Sequence, residues 1–458
     1  MEYSSLLYIY GFLPISLAVY YLIPKKHSEK ALLGLSMLFC GFTSLYFLIF
    51  MAVYILLNYT MCRLTEYIKQ KGSIAEIPLA SMVILDITAI FAFRAPYMEW
   101  FRNTVHAPEI FYPLGISFFT LSAVGMLTDI YKGRQKAEKN LIRYALYIVF
   151  FPRLYMGPCM QYSEFSKILD RQKRGFAQTG TGLCIFVKGL VKKVIIADSL
   201  YLLYSAVNKI GHENLTALTT LLGMTAYILC LYFTMSGIAD MGRGTAECFG
   251  YRFPDSFPYP LFRYRVRLFA SRWLTGVTGW FRTYIRKPLT SSSRNPYIRL
   301  VFFVLAWGML GFWFKFSITG FVAGMIIGLV ISAEGYILKK GTLKITGVFC
   351  TLVATLLWGV FLSEDSISDA LSMISALFGR YGFADSLTFY FIRAYILLLA
   401  IAVFFATPAA KKLIRKAERQ KTGIIISFIK PVLALAFLII CTAYISANQN
   451  ADTVLFRL

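Results

Sequence analysis

The sequence predicts an all-α integral membrane protein. The chain has 458 residues, of which 58% are hydrophobic and only 15% are charged, and its mean hydropathy is +0.62. That composition leaves too little polar surface to cover a water-soluble protein of this length. Apolar runs of roughly 20 residues, the length of a membrane span, recur along the whole chain, and we count about ten to twelve of them.

The N-terminal part contains five of these runs. The first, residues 6–23, is longer than the apolar core of a signal peptide and has no small-residue cleavage pattern beside it, so we expect it to be retained as a span. Two more runs follow before residue 62, with a division near residues 41–44, and a fourth covers residues 77–92. A polar loop at residues 94–110, which contains His106, separates it from the fifth.

Most of the net charge of +24 lies in short turns between the apolar runs. Three of these turns hold Lys25, Lys26 and Lys30, then Arg63, Lys69 and Lys71, and then Lys132, Arg134, Lys136 and Lys139. Two runs separate each turn from the next, so all three fit on the cytoplasmic side with the N-terminus outside. Membrane topology therefore accounts for the charge, and nucleic acid is not an expected partner. The next run, residues 141–160, leads to another basic stretch, and we expect it to be tilted or re-entrant.

The sequence between residues 237 and 296 shows no clean span. It mixes aromatic residues with basic ones, nine of which lie between residues 243 and 287, namely Arg243, Arg252, Arg263, Arg265, Arg267, Arg272, Arg282, Arg286 and Lys287. Each Arg or Lys at the centre of a membrane helix costs roughly 2.5 to 3.5 kcal/mol, so this stretch cannot cross the hydrocarbon exposed to lipid. We expect it at the cytoplasmic interface or along a water-filled cavity.

Five apolar runs follow, at residues 300–316, 318–338, 343–362, 387–405 and 424–444. Between the third and the fourth, residues 363–379 have the pattern of a short amphipathic surface helix with a Ser or Asp cap. The eight cysteines of the chain have no paired spacing. They therefore indicate neither a disulfide framework nor a zinc site.

Eight short motifs occur in a characteristic order. They comprise residues 112–120 (YPLGISFFT), 129–133 (DIYKG), 151–158 (FPRL with GP), 188–198 (KGLVKK with AD), 232–241 (YF with SG and ADM), 249–254 (FGYRFP), 271–273 (SRW) and 280–289 (WFR with YI and PL). Together they resemble the membrane-bound O-acyltransferase family, in particular its bacterial branch of alginate O-acetyltransferases and teichoic-acid D-alanine transfer proteins.

The resemblance implies a fold and a function. The fold would be a bundle of about 10–12 transmembrane helices, with tilted or re-entrant central helices around a funnel. It would form one domain, with N-terminal helices at 1–140, the family core at 141–316 and C-terminal helices at 317–458. The function would be transfer of an acetyl, D-alanyl or similar acyl group to an extracytoplasmic polysaccharide or teichoic acid. The donor would be a cytoplasmic thioester of coenzyme A or an acyl carrier protein, with no bound cofactor.

The same resemblance implies a location and partners. It places the chain in the bacterial cytoplasmic membrane as a multi-pass protein in contact with lipid. An acyl carrier protein and an extracytoplasmic transferase are the expected protein partners. These expectations come from the family alone.

The sequence departs from the family at its reaction centre. Residues 307–313 (WGMLGFW) stand where the family has a Gly-Leu-Trp-His-Gly motif, and the position of the presumed general base falls on Leu310. A companion histidine after the Arg-Trp pair is replaced by Leu274. Leucine has no lone pair with which to accept a proton. The three histidines of the chain, His27, His106 and His212, lie in turns and a loop and are expected to be solvated.

A carboxylate is the alternative proton acceptor. Asp240 lies in an apolar stretch, where an ionisable residue is a functional candidate by default. The competing interpretation is that it pairs with a nearby arginine, such as Arg243 or Arg272, and holds core helices together. We expect Asp198 to act as an interfacial cap and Asp86 as a hydrogen-bond partner between helices.

Basic and aromatic residues of the core are candidates for donor binding. Arg272, Arg282, Arg286 and Lys287 are suited to the phosphates or the phosphopantetheine of a donor, or equally to anionic lipid at the interface. Trp273, Trp280 and Tyr284 accompany them, and the simplest role for these rings is packing in the core or in an interfacial belt.

Three functional hypotheses remain open at this point. The chain is an active acyltransferase that uses a base other than histidine or assistance from the substrate. Alternatively, it is an inactive homologue that serves as an acyl conduit, lipid-binding protein or scaffold in the same pathway. The third hypothesis, a permease or channel, requires a polar path in place of the lost site.

Overall fold

The computed structural model describes residues 2–72, 74–94, 115–157, 159–337, 344–418 and 423–447. Apart from Arg94, the predicted polar loop at 94–110, including His106, lies outside them. Within the described residues all regular structure is helical, and the chain forms two compact units. The first unit comprises Met1–Gly189 and Ile238–Asp255, and the second comprises Leu190–Gly237 and Ser256–Leu458.

The helices of the described residues are numbered in chain order. They are α1 Leu7–Leu22, α2 Ser28–Thr43, α3 Leu45–Gln70, α4 Glu76–Arg94, α5 Ile116–Tyr131, α6 Leu141–Val149, α7 Phe151–Leu154, α8 Tyr162–Asp170, α9 Phe176–Val191, α10 Asp198–Asn208 and α11 Ala217–Cys248. They continue with α12 Val266–Arg272, α13 Thr275–Phe281, α14 Lys287–Ser291, α15 Pro296–Lys315, α16 Ile318–Ile337, α17 Lys344–Ser363, α18 Ile367–Leu377, α19 Ser386–Ala406, α20 Ala409–Glu418 and α21 Gly423–Ala447.

Seven helices of the described part are long and apolar enough to cross a membrane: α3, α4, α11, α15, α17, α19 and α21. Four shorter apolar helices, α1, α5, α16 and α18, accompany them. The chain is therefore a multi-pass, all-helical membrane protein, as its sequence predicts. Ten to twelve spans are predicted for the whole chain. The described part contains these seven long helices and four shorter apolar ones.

Local sequence signals set the ends of several helices. The predicted division near residues 41–44 is confirmed, because α2 ends at Thr43 and Ser44 adopts an extended conformation. The Ser44 side chain then accepts a hydrogen bond from the Tyr46 backbone N–H and caps α3. The predicted surface helix forms as α18, whose N-cap Ser366 accepts from the backbone N–H of Ser368. Both caps satisfy N–H groups that a helix start leaves without a partner.

The basic turns of the first unit lie close to one another. Lys69 at the end of α3 donates to the Tyr131 carbonyl at 2.5 Å, and the Tyr131 hydroxyl donates to Glu76 at the start of α4 at 2.9 Å. Arg143 pairs with Glu29, beside the first basic turn, at 2.9 Å. These contacts gather the three turns at one end of the unit, as the predicted topology requires.

The apolar run at residues 141–160 is broken. Helix α6 ends at Val149, Phe150 leaves the helical region with ψ 104°, and α7 is only 4 residues long. The 9 residues of α6 extend about 14 Å, less than half of a bilayer core. Arg153 in α7 is buried, with its guanidinium over the rings of Tyr147 and Phe165 at 4.8 and 4.9 Å. This geometry agrees with the expected re-entrant segment.

Helix α11 extends further than the sequence indicates. It has 32 residues and continues past Gly237 to Cys248, through a stretch in which no clean span is predicted. Its two acidic residues in this stretch are paired: Asp240 with Arg243, and Glu247 with Arg252 at 2.7 Å. Buried charges that have partners can remain inside a membrane protein.

Helices α15 and α16 form a close antiparallel hairpin in the second unit. The turn between them contains Phe316 in the left-handed region, with φ 59°. A Cβ atom on Gly311 would collide with the Gly320 carbonyl oxygen, and one on Gly324 would collide with the Trp307 carbonyl oxygen. Only glycine permits the two backbones to approach this closely.

Candidate functional site

The structure places Leu310 and Leu274 in the walls of one pocket. Leu310 lies on α15, and Leu274 is the residue that precedes α13. The pocket belongs to the second unit and has a cavity volume of about 50 Å³. Four tryptophans complete much of its wall, namely Trp273, Trp307, Trp313 and Trp358. The two positions at which the family resemblance places histidines thus share one cavity, although 35 residues separate them along the chain.

Among the described residues, the pocket wall carries no titratable side chain. Its only side-chain hydroxyl in that part of the chain belongs to Thr278, which donates to the carbonyls of Leu274 and Thr275 at 3.3 Å. The ring centroids of Trp273 and Trp358 are 5.0 Å apart in an edge-to-face arrangement. The described wall residues therefore include no group that can accept a proton from a hydroxyl at neutral pH.

The pocket wall contains buried indole N–H groups. The indole N–H groups of Trp273 and Trp307 are buried and have no acceptor among the described residues. A buried donor without an acceptor is costly, so it is usually paired in a functional state. An otherwise apolar ligand that carries one carbonyl group would satisfy such a donor.

Leu274 adopts an unusual backbone conformation. Its φ of 48° and ψ of 62° lie in the left-handed region, which is unfavourable for a leucine by roughly 1–2 kcal/mol. Asparagine, aspartate and histidine adopt this conformation several times more readily than other residues with a side chain. The backbone at this position therefore suits a histidine better than the leucine that occupies it.

Asp240 is held by two cations. Its side chain is buried and pairs with Arg243 at 2.9 Å and with Lys188 at 3.2 Å. Arg243 is one of the two arginines expected as its partner. The other, Arg272, instead donates to the Pro258 carbonyl at 3.3 Å. Both cations belong to the same unit as Asp240, and these contacts show a pairing role for its carboxylate.

The predicted donor-binding residues fall into two groups. Trp273 lines the pocket, whereas Trp280 and Tyr284 pack against each other with ring centroids 5.1 Å apart. Arg282 and Arg286 lie in the π-helical turn that continues α13. Burial, followed by the neighbouring charge of Arg282 and then of Arg267, lowers the pKa of Arg286 below its ordinary value.

The remaining candidates are separate from the pocket. Asp198 lies in the first turn of α10 and pairs with Lys193 at 3.3 Å. Asp86 is fully buried in α4 beside Tyr54 and Asn58 of α3, but neither of its carboxylate oxygens has a hydrogen-bond partner among the described residues, so the predicted hydrogen bond between helices is not formed there.

The structure places two of the three histidines. His27 lies exposed in a short turn and does not line the pocket, and His212 belongs to another turn in the second unit. His106 lies outside the described residues.

Sequence analysis did not identify several residues of the site. Trp358 reaches the pocket from α17, and no motif marks it. Lys188 begins one of the motifs, yet nothing in the sequence connects it with Asp240. Trp307 lies in the stretch that replaces the family's histidine motif, and a search for indole donors beside Leu310 could have found it.

The fold and the pocket define a multi-pass membrane protein with a mostly apolar, tryptophan-lined cavity in its core. No protein-family model matches the chain. It is, however, 27% identical to the probable alginate O-acetylase AlgI of Pseudomonas fluorescens over 376 residues, which cover 80% of this chain and 73% of that protein. The peptidoglycan O-acetyltransferase of Helicobacter pylori is 24% identical over 83% of this chain and 80% of its own length.

A third relative matches a shorter part. The teichoic acid D-alanyltransferase of Bacillus subtilis is 29% identical over 183 residues, or 38% of this chain and 44% of its own length. All three relatives are of the membrane-bound O-acyltransferase type. The resemblance seen in the motifs is thus confirmed, and the chain is a homologue of the membrane-bound O-acyltransferases.

Proposed function

We propose that this chain serves the O-acylation of an extracytoplasmic polysaccharide or teichoic acid in the bacterial cytoplasmic membrane. It would transfer an acyl group, such as acetyl or D-alanyl, from a cytoplasmic thioester of coenzyme A or an acyl carrier protein. The observation that carries the proposal is the similarity, across 80% of the chain, to a probable alginate O-acetylase. Relatives named for peptidoglycan and teichoic acid support the same polymer class.

The pocket suggests how transfer proceeds without histidine. The acceptor hydroxyl oxygen attacks the thioester carbonyl carbon, the carbon–sulfur bond breaks, and an ester and a thiol form. Because the wall has no proton acceptor, the hydroxyl proton goes to the leaving thiolate. The indole N–H groups of Trp273 and Trp307 are suited to stabilise the negative charge that develops on the carbonyl oxygen.

A second candidate function is favoured by the wall's lack of any titratable group. In this alternative the chain binds the acyl group and conducts or presents it, while a partner in the extracytoplasmic space performs the chemistry. An acyl carrier protein on the cytoplasmic side is part of both proposals.

Restoring the imidazole separates the two candidates. We would measure transfer from radiolabelled acetyl-coenzyme A, or from a D-alanyl carrier protein, to a soluble hydroxyl acceptor by the purified protein in neutral detergent. If the wild type is a slow enzyme, Leu310→His should raise its rate by roughly 100-fold, the low end of what a general base contributes. Met309→His is the matched control, because it adds the same group one residue away on α15 but outside the pocket wall.

The outcomes assign the function. Slow wild-type transfer that only Leu310→His accelerates supports substrate-assisted catalysis. If the wild type transfers the acyl group rapidly and folded Asp240→Asn does not, Asp240 is the general base and the substrate-assisted step is refuted. Binding of the acyl donor without turnover in wild type leaves the second candidate.

A further inference from the structure

The second unit contains a long stretch that is basic throughout. Between Ser256 and Ala333 the sequence has eight arginines and two lysines but no aspartate or glutamate. The next acid, Glu334, is buried, lies 3.7 Å from the Arg265 guanidinium and accepts the backbone N–H of Arg267 at 3.0 Å. Arg263 and Arg272 both donate to the Pro258 carbonyl at 3.3 Å, so backbone oxygen satisfies part of these two groups.

Three other arginines form a cluster, which we term the arginine triad: Arg267, Arg282 and Arg286. Arg282 and Arg286 are four residues apart in the π-helical turn, so their side chains project from a similar face. Arg286 is half-buried, and its guanidinium lies 5.6 Å from the Phe303 ring centroid. Arg267 and Arg282 are near enough for their charges to lower the pKa of Arg286 further.

None of the three guanidinium groups of the arginine triad forms an ion pair among the described residues. Like charges that crowd together without a counter-ion destabilise the fold, and a half-buried guanidinium adds a desolvation cost. A bound anion removes both costs.

The arginine triad also lies next to the tryptophan-lined pocket. Arg286 covers Phe303, whose ring centroid is 6.4 Å from that of Trp307, a pocket-wall residue. Arg267 lies on α12 two residues before Phe269, which also lines the pocket. A concentrated positive charge therefore adjoins an apolar cavity within the same unit.

We propose that the arginine triad binds the phosphoryl group of an amphiphile whose apolar or acyl part enters the tryptophan-lined pocket. Guanidinium groups bind phosphate oxygens in pairs of parallel hydrogen bonds, which a lysine cannot reproduce. Two sources carry this chemistry, the phosphopantetheine arm of an acyl donor and an anionic lipid headgroup. Binding of a phosphopantetheine arm rests on the proposed function, whereas binding of an anionic lipid headgroup does not.

The test measures binding and needs no turnover. The purified full chain in neutral detergent would be titrated with 4′-phosphopantetheine and, as the matched probe without phosphate, with pantetheine. A second titration would use phosphatidylglycerol, with its diacylglycerol counterpart as the matched probe. The variants are Arg267→Gln/Arg286→Gln and the single exposed change Arg282→Gln, and the control is Arg299→Gln, an exposed arginine of the same basic stretch.

We expect the phosphorylated probe to bind at least 10-fold more tightly than its matched probe, and the double variant to lose that preference. Arg282→Gln should lose part of the preference for phosphate, and Arg299→Gln should lose none of it. Arg286→Lys should keep little of the preference, because a lysine cannot form the paired hydrogen bonds. Loss of preference in the pantetheine series assigns the site to the donor, and loss only in the lipid series assigns it to a headgroup.

The proposal is overturned if neither series prefers phosphate, or if folded triad variants keep the preference. Arg282→Gln guards against misfolding of the double variant, because Arg282 is exposed. Phosphate-dependent binding without any acyl transfer would leave the triad proposal standing while the proposed function fails.

Discussion

At single residues, the tryptophan-lined pocket combines a backbone suited to histidine with leucine side chains. Leu274 holds a left-handed conformation that leucine disfavours, and Leu310 faces the same cavity from α15. The strain at Leu274 is maintained by the packing around it, since its side chain is only 4% exposed. The described pocket wall therefore combines a backbone conformation that favours histidine with an aliphatic side chain.

Asp385 is the N-cap of α19. Its carboxylate accepts the backbone N–H of Thr388 at 2.9 Å, and the Thr388 hydroxyl also donates to it. Replacing Asp385 with alanine should lower the free energy of unfolding by about 1 kcal/mol at neutral pH, because a helix N–H loses its acceptor. Detergent-based unfolding, monitored by circular dichroism, measures the difference between variant and wild type.

The same carboxyl should make that difference depend on pH. Hydrogen bonds from Thr388 hold the pKa of Asp385 below its ordinary value of 3.8. Because the folded state binds this proton more weakly than the unfolded state, the extra stability is present above the ordinary pKa and is lost as the pH falls through the folded one. A difference that stays constant on acidification would contradict this assignment.

At the scale of elements, the α15–α16 hairpin supports the pocket. Gly311 and Gly324 both lie in the pocket wall and at the closest approach of the two helices. Side chains can move to make room for an added Cβ atom, but the backbones of two packed helices cannot. The shape of the cavity thus depends on glycine at both positions.

We predict that Gly311→Ala and Gly324→Ala each destabilise the protein by roughly 1–3 kcal/mol, because the added Cβ forces the helices apart. Both changes should also weaken binding of any ligand in the pocket. Gly180→Ala is the control, since this exposed glycine of α9 has nothing within 4 Å of an added Cβ. There, alanine should be neutral or stabilising by up to about 1 kcal/mol. Equal effects at all three positions would refute the close-packing argument.

At the scale of the whole molecule, the arrangement of charge in the first unit defines a topology. The pairs that join Glu29 to Arg143 and Tyr131 to Glu76 bring the basic turns to one end. The turn between α2 and α3 lies at the other end of α2, about 24 Å away along that 16-residue helix. Lysines and arginines gathered at one end are what the positive-inside rule predicts for the cytoplasmic face.

A labelling experiment tests this topology. Cysteine at Lys26, Lys71 or Lys136 should react with a membrane-impermeant maleimide only from the cytoplasmic side. Cysteine at Tyr46, an exposed residue beside the α2–α3 turn, should react only from outside. Cys184 and Cys350, the two partly exposed native cysteines of the described residues, would first be replaced by serine. Labelling of Lys26 and Lys136 positions from opposite sides would refute the shared face.

The sequence alone determines what depends on local physics. The hydrocarbon core selects apolar runs of a certain length, and each helix satisfies its own backbone hydrogen bonds. For this reason the spans, the break at Ser44 and the surface helix capped by Ser366 follow from the order of residues. The motifs also identify Leu274 and Leu310 as the positions at which the family has histidine, because the motifs can be aligned with those of the family.

The tertiary structure decides what depends on contacts between distant segments. It brings Trp358 of α17 into the same pocket wall as the two leucines. It also pairs Lys188 with Asp240 and places Arg267 near the arginines of the π-helical turn. Which side chains meet across helices is set by packing in three dimensions, and the spacing of residues along one helix carries no record of it.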